Sequence, residues 1–287
     1  MSVLVNRDTR VIVQGITGNE GSFHAKQMLR YGTKIVAGVT PGKAGLEVEG
    51  IPVYDRVHDA AAKHRANTSI IFVPARSAKA AILEAIAAEI KTIVVITESI
   101  PLKDSIEVFS EAEAADARII GPNTAGVLSP RAGVHVGIMP THIFRSGNVA
   151  MVSRSGTLTY EIASQITSAG LGQSTCVGIG GDPMVGTTFV PVLELFKDDT
   201  ETESVVLIGE IGGNAEEIAA RYVRETKYPK KIVAYIAGKA APAEKRMGHA
   251  GAIIMGGLGT AQSKTEAFRD AGVSVADKPS DVPRLLT

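Results

Sequence analysis

The chain has 287 residues, 45% of them apolar and 21% charged, with 30 glycines, 13 prolines and no tryptophan. That balance excludes a disordered or fibrous chain and suits a glycine-rich α/β protein of two ordinary-sized domains. Thirty basic and thirty acidic residues cancel, so no global field draws nucleic acid or an anionic membrane, and any phosphate binding must come from local groups.

Asn6, Arg7, Asp8 and Arg10 precede the first apolar run, which leaves no signal-peptide pattern, and no apolar stretch reaches the roughly 18 residues of a membrane span. A cytoplasmic protein without membrane contact is expected. Short apolar runs at 11–13, 35–39, 69–73, 93–96 and 119–120 then alternate with amphipathic segments at 22–31, around 60, at 77–89 and up to 115. Strand-helix alternation at this spacing predicts a parallel sheet covered by helices on both faces, because parallel neighbours need crossover connections. Residues 1–125 form this first unit. The segment 126–147, rich in Gly, Pro and Ser and weakly periodic, is expected as a connection running over the surface. Alternation resumes in 148–287, with strands predicted at 149–152, 175–179, 205–209, 232–237 and 273–275. The expected fold is therefore α/β, with two doubly wound domains. The single cysteine, Cys176, lies in one of these strands and reads as a buried small residue. It excludes a disulfide framework or multi-cysteine zinc site, and no metal centre is expected.

Directly after the first strand stands Gly15-Ile16-Thr17-Gly18-Asn19-Glu20-Gly21, a glycine-rich turn leading into a helix whose free amides and dipole favour a phosphate. Its first two glycines are one residue further apart than in the dinucleotide fingerprint. At the end of the second strand, where an NAD enzyme places an acid for the ribose hydroxyls, the chain reads Thr40-Pro41-Gly42-Lys43. A lysine there argues against NAD and for an additional phosphate, as on the ribose of coenzyme A or NADP.

These segments, with Ile96-Thr97-Glu98 and Gly121-Pro122-Asn123, resemble the α subunit of the succinyl-CoA synthetase family. The second half agrees more fully, through Ser153-Arg154-Ser155-Gly156-Thr157-Leu158-Thr159-Tyr160-Glu161, Gly178-Ile179-Gly180-Gly181-Asp182-Pro183, Gly209-Glu210-Ile211-Gly212-Gly213 and Arg246-Met247-Gly248-His249-Ala250-Gly251. The resemblance spans essentially the whole chain. It implies a Rossmann-like CoA-binding domain followed by a flavodoxin-like ligase domain. Thr17, Gly18, Asn19, Glu20, Lys43, Ile96, Thr97 and Glu98 would line the coenzyme A site, and Tyr160 and Asn123 would meet the acyl substrate. His249 would be phosphorylated and Glu210 would orient it. The family binds ATP or GTP with Mg on a separate β subunit of ATP-grasp fold, in an αβ or α2β2 assembly, and this chain has no Walker-type segment to replace it.

One departure concerns the substrate. Many members of the family follow Gly-Pro-Asn with Cys-Pro, whereas this chain reads Thr124-Ala125. Succinate is the first expectation, and malate-CoA ligase and citryl-CoA synthetase are relatives on the same plan.

Coupling an acyl-CoA to a nucleoside triphosphate needs a phosphoryl carrier that is nucleophilic at neutral pH, and imidazole fits that role. Of six histidines, His24, His58 and His64 lie in polar helical text and read as surface or capping residues. His249 sits in a loop of small residues where a ring can approach a phosphate. The helix start at Ser153, Ser155, Gly156 and Thr157 offers amides for phosphoryl oxygens. Glu210, at a strand end, suits the carboxylate that fixes the imidazole tautomer. A serine hydrolase fails, because Ser153 and Thr157 stand where its motif needs glycines around Ser155. An NADP-binding oxidoreductase would leave the His249 loop without a role, and a non-catalytic CoA-binding protein would take up no acid-labile phosphoryl group.

Overall fold

A computed structural model of the protein describes residues 3–239, 248–254 and 259–287. In the first half, strands β1 (Arg10–Gln14), β2 (Lys34–Val39), β3 (Glu47–Val48), β4 (Ile51–Tyr54), β5 (Thr68–Ile71), β6 (Thr92–Val95) and β7 (Arg118–Ile120) form one sheet in the order β3-β4-β2-β1-β5-β6-β7. All its pairings are parallel except the short β3 against β4. Helices α1 (Asn19–Tyr31), α2 (Val57–His64), α3 (Ala75–Ala87) and α4 (Leu102–Ala114) supply the crossovers. The central strands are buried on both faces: β5 is buried at every residue and β1 at all but Arg10, as a sheet covered by helices requires. The sheet order changes direction beside β1, and the crevice at that point lies next to the Gly15–Gly21 loop.

The second sheet runs β14-β13-β12-β10-β11-β8-β9. Its parallel part comprises β10 (Ser146–Ser153), β11 (Gln173–Gly178), β12 (Ser204–Glu210), β13 (Lys231–Ala237) and β14 (Ser274–Ala276). Taken in chain order, these five strands stand 2-1-3-4-5, the flavodoxin-like arrangement, with the switch point between β10 and β12. The connecting helices are α5 (Gly156–Ser168), α6 (Phe189–Lys197), α7 (Ala215–Thr226) and α8 (Ala261–Asp270), and the short α9 (Val282–Leu286) ends the chain. No described helix is long and apolar enough to cross a membrane.

The segment 126–147 differs from the surface connection that its composition suggests. It contributes β8 (Gly126–Ser129) and β9 (Val134–Gly137), an antiparallel hairpin added to the edge of β11, and every residue of both strands is buried. The glycines that read as loop punctuation are demanded by the pairing. A Cβ on Gly126 would lie 2.2 Å from the Val136 carbonyl oxygen, and one on Gly137 would lie 2.3 Å from that of Ala125. The hairpin also grips the first half, since the Thr33 hydroxyl donates to the His135 carbonyl at 2.7 Å and accepts its amide at 2.9 Å. His135 itself is fully buried, and burial pushes its imidazole down to about 3. It is thus neutral, and Nε2 accepts the Met139 amide at 3.1 Å.

Thr124 closes the joint between β8 and β11. Its buried hydroxyl donates to the Gly178 carbonyl and accepts the Gly126 amide at 2.9 Å. Thr124→Val keeps the shape and strands both backbone groups, so it is expected to cost about 1–3 kcal/mol, read as a lowered urea midpoint at unchanged slope.

Candidate active site

The first loop forms as the glycine spacing predicts. Gly15 adopts a left-handed conformation (φ 81°) and its carbonyl accepts the Gly18 amide at 3.0 Å, turning the chain into α1. A Cβ on Gly21 would lie 2.2 Å from the Gly15 oxygen, so only glycine lets the helix start this close to the strand end. No side chain caps this end of α1. Gly18, Asn19 and Glu20 are exposed, and the first helical amides have no partner within the helix, leaving them for an anion. Thr17 points its hydroxyl at that of Thr40, 3.2 Å away. Lys43 is exposed at the end of the next turn, which Asp55 braces by accepting the Lys43 and Ala44 amides at 2.9 and 3.0 Å. On the far side of the crevice Thr97 donates to the Val73 carbonyl at 2.6 Å, Ile96 is half-buried and Glu98 is exposed. His24, expected at the surface, is instead largely covered and stacks on Phe72 at 5.6 Å, and burial lowers its basicity.

The second site lies at the switch point of the other sheet. Glu210 is the last residue of β12, and its buried carboxylate meets Nδ1 of His249 at 2.8 and 3.1 Å. The contact fixes Nδ1 as the bonded nitrogen and leaves Nε2 on the opposite edge of the ring. The ring packs flat on Gly181, where a Cβ would fall 2.5 Å from His249 Cγ. The loop is held by the Gly251 amide, which donates to the Gly181 carbonyl at 3.1 Å. Arg246 and Met247 of the motif lie outside the described residues.

The helix start before α5 behaves differently at each position. Ser153 is buried, donates to the Ser155 carbonyl at 2.8 Å and accepts the Ser155 amide at 3.1 Å, so its hydroxyl shapes the turn. Ser155 is the N-cap, accepting the Leu158 amide at 3.4 Å. Gly156 and Thr157 then open the helix with amides that have no acceptor within it. Tyr160 lies one turn on, its hydroxyl facing the Gly156 position beside Ala125, and burial raises its phenol.

Three further residues complete the site, and none of them stands out in the sequence except as part of a motif. Arg154 is buried, places Nη2 3.4 Å from Glu210 and donates to the Gly212 carbonyl at 3.0 Å. Asp182 accepts the Asn123 side-chain amide and the Ser99 backbone amide, both at 3.0 Å. Asn123, expected at the acyl substrate, braces this turn: its own amide donates to the Thr97 carbonyl at 2.9 Å and its carbonyl accepts the Gly181 amide at 3.2 Å. Glu216 lies behind Arg154, its Oε1 3.1 Å from Nη1.

The Glu210 hydrogen bond holds the His249 imidazole above its ordinary value of 6.5, against burial and the Arg154 charge, which pull it down. A raised value in the folded state means that folded protein binds more protons than unfolded. The pair therefore contributes its full stability below pH 6.5, and this contribution is lost as pH rises through the raised value. Glu210→Gln is expected to lower the His249 value, followed by its ring proton shifts in NMR, and to flatten that part of the stability-pH curve.

Residues 6–99 match the CoA binding domain family and residues 152–274 the CoA-ligase family. The chain is 56% identical over 286 residues to the succinate–CoA ligase (ADP-forming) subunit alpha 2 of Archaeoglobus fulgidus, covering 100% of this chain and 99% of that one. It is also 56% identical over 284 residues to the corresponding α subunit of Aquifex aeolicus, covering 98% and 92%. Among solved structures it superposes on ATP citrate lyase from Methanothrix soehngenii, in complex with citrate and coenzyme A, with a TM-score of 0.90 at 27% identity. It covers 99% of this chain but only half the length of that one. With both families matched in order, and more than half of its residues shared with these α subunits along nearly their whole length, the chain belongs to the CoA-binding α subunits of the succinate–CoA ligases, which are acid–thiol ligases.

Proposed function

We propose that the chain carries a phosphoryl group on His249 while an acid, coenzyme A and a nucleoside triphosphate are interconverted with acyl-CoA, nucleoside diphosphate and phosphate. The observation that carries this reading is the Glu210–His249 contact, at 2.8 Å, in the switch-point crevice of the second sheet. With Nδ1–H donated to Glu210, the Nε2 lone pair is free to attack the phosphorus of an acyl phosphate. The N–P bond forms as the P–O bond to the acyl oxygen breaks, and the carboxylate leaves. The imidazolium-like product keeps its Nδ1 proton on Glu210, whose charge supports it. Gly156 and Thr157, with the α5 dipole behind them, supply amides for the transferred oxygens. Reversal onto a nucleoside diphosphate completes the cycle.

Coenzyme A fits the first crevice, where the uncapped start of α1 would receive its phosphates and Lys43 its ribose phosphate. Ile96, Thr97 and Glu98 would form the opposite wall. The first domain then ends near residue 125, and the hairpin from 126 onward joins the ligase domain. A separate β subunit of ATP-grasp fold would bind ATP with Mg, in keeping with the ADP-forming relatives. Succinate is the proposed acid for the same reason, with Tyr160 and Ala125 at the mouth of the α5 crevice. The cytoplasm, which supplies coenzyme A and nucleoside triphosphate together, is the proposed location. An NADP-binding oxidoreductase would give the Glu210–His249 pair nothing to do.

His249→Asn, similar in shape but not nucleophilic, is expected to abolish labelling by radioactive ATP and net ligation in the complex, while coenzyme A binding survives. Phosphopeptide mapping after brief exposure to ATP is the check, and an active Asn variant or a phosphoryl group on Ser155 overturns the mechanism. Assays with succinate, malate and citrate in parallel identify the acid. Lys43→Glu exchanges an attraction for a repulsion and is expected to weaken coenzyme A by roughly 2 kcal/mol or more, read by calorimetry.

A further inference from the structure

Behind the His249–Glu210 pair a run of buried charge extends into the second domain, and the chemistry above gives its far end no part. Arg154 faces two carboxylates. Its Nη2 is 3.4 Å from Glu210 Oε1, and its Nη1 is 3.1 Å from Glu216 Oε1. The other Glu216 oxygen pairs with Lys264, which also reaches Glu217 Oε2 and the Gly213 carbonyl, both at 3.1 Å. Glu216 and Lys264 are 0% exposed. Glu216 further accepts the Glu210 backbone amide at 3.1 Å, so the same carboxylate touches both the arginine and the strand end that carry the site.

Packing alone does not account for this pair. Burying two ionised groups carries a large desolvation cost, and apolar residues of the same volume usually serve a core as well or better. Through Glu216 the pair reaches Arg154, whose single guanidinium lies against the Glu210 and Glu216 carboxylates and the Gly212 carbonyl. Whatever Glu216 does not hold is drawn to Glu210, in competition with the imidazole. Lys264 in turn holds part of the Glu216 charge.

Resting on the reading of His249 as phosphoryl carrier, we infer that Glu216 and Lys264 are positioning residues that act through Arg154, setting how much of the Glu210 carboxylate is left for His249. Neither touches substrate. The groups facing the imidazole are Glu210 from the end of β12, Arg154 from the loop after β10 and Asp182 from the loop after β11. Glu216 and Glu217 of α7 and Lys264 of α8 stand behind them. Loss of the Glu216 charge sends Arg154 to Glu210 and makes the imidazole less basic. Loss of the Lys264 charge binds Arg154 more firmly to Glu216, releases Glu210 and makes the imidazole more basic. The two substitutions therefore act in opposite directions, which general loosening of the core does not produce.

The test uses the native assembly with its partner subunit and measures the rate of His249 labelling by radioactive ATP across pH. That rate falls on the acid side as the imidazole becomes protonated. Glu216→Gln is expected to move the acid limb to lower pH by about one unit and to lower the plateau. Lys264→Met is expected to move the limb to higher pH, and the double variant to return it towards the parent position. Folding is checked by circular dichroism. In Glu216→Gln the lysine keeps Glu217 and the Gly213 carbonyl, and the double variant removes the buried Glu216–Lys264 pair as a unit, leaving neither charge without its partner. These two decide the matter if Lys264→Met does not fold, the shift and its reversal being the supporting result. Limbs that coincide with the parent, or single variants that move the same way, overturn the inference. A parent complex unlabelled at His249 is a different result: it overturns the phosphohistidine reading and this inference with it.

Discussion

The carboxylate of Glu210 against Nδ1 of His249 is the contact around which the second domain is arranged. A histidine in a loop of glycines and alanines has no preferred orientation of its own, so which ring nitrogen it presents depends on what fixes the ring. Glu210 does this from the end of a fully buried strand, whose position is set by β10 on one side and β13 on the other. Gly181 supplies the flat floor, and the Gly251 amide ties the loop to the Gly181 carbonyl. The electrostatic setting follows from the same geometry. A carboxylate placed this close raises the imidazole, and Arg154, sharing the carboxylate, limits the rise.

Among the described residues the two halves of the chain share one apolar cluster, and specific polar contacts beside it connect the two crevices. Asn123 bonds to Thr97 with its amide, to Gly181 with its carbonyl and to Asp182 with its side chain. Asp182 also takes the Ser99 amide. The wall of the first crevice and the floor beneath His249 are thus separated by one braced turn. On the other side, Thr33 and His135 lock the start of β2 to the hairpin. In water such hydrogen bonds are worth little each, but buried ones are costly to break, which favours a fixed relation between the two crevices.

Much of this was legible in the sequence. Strand-helix alternation predicts both parallel sheets, because a buried parallel strand must be a short apolar run followed by a crossover, and the predicted strands fall within a few residues of those observed. The Gly15–Gly21 turn, Lys43 after its Pro-Gly turn, and Glu210 and His249 in their glycine-rich settings can be picked out locally, because each is marked by backbone requirements of its immediate neighbours. The α5 start was legible only as a motif: its sequence does not say that the Ser153 hydroxyl closes the turn on Ser155 while Gly156 and Thr157 keep free amides.

What the tertiary structure decided are the contacts between residues far apart in the chain. The hairpin at 126–137 was hidden because its strands are four residues long and begin or end on glycine, a composition that locally means loop; only the approach of the two backbones shows why glycine is needed. Arg154, Asp182, Glu216 and Lys264 were equally silent. A charged side chain reads as a solvated surface residue until its partner is known, and here the partners lie 56 to 83 positions away for Arg154 and Asp182 and 48 for Lys264. No local spacing encodes such a pairing. It arises when the strand order of the second sheet brings β10, β11 and β12 side by side and lets their ends converge on one imidazole.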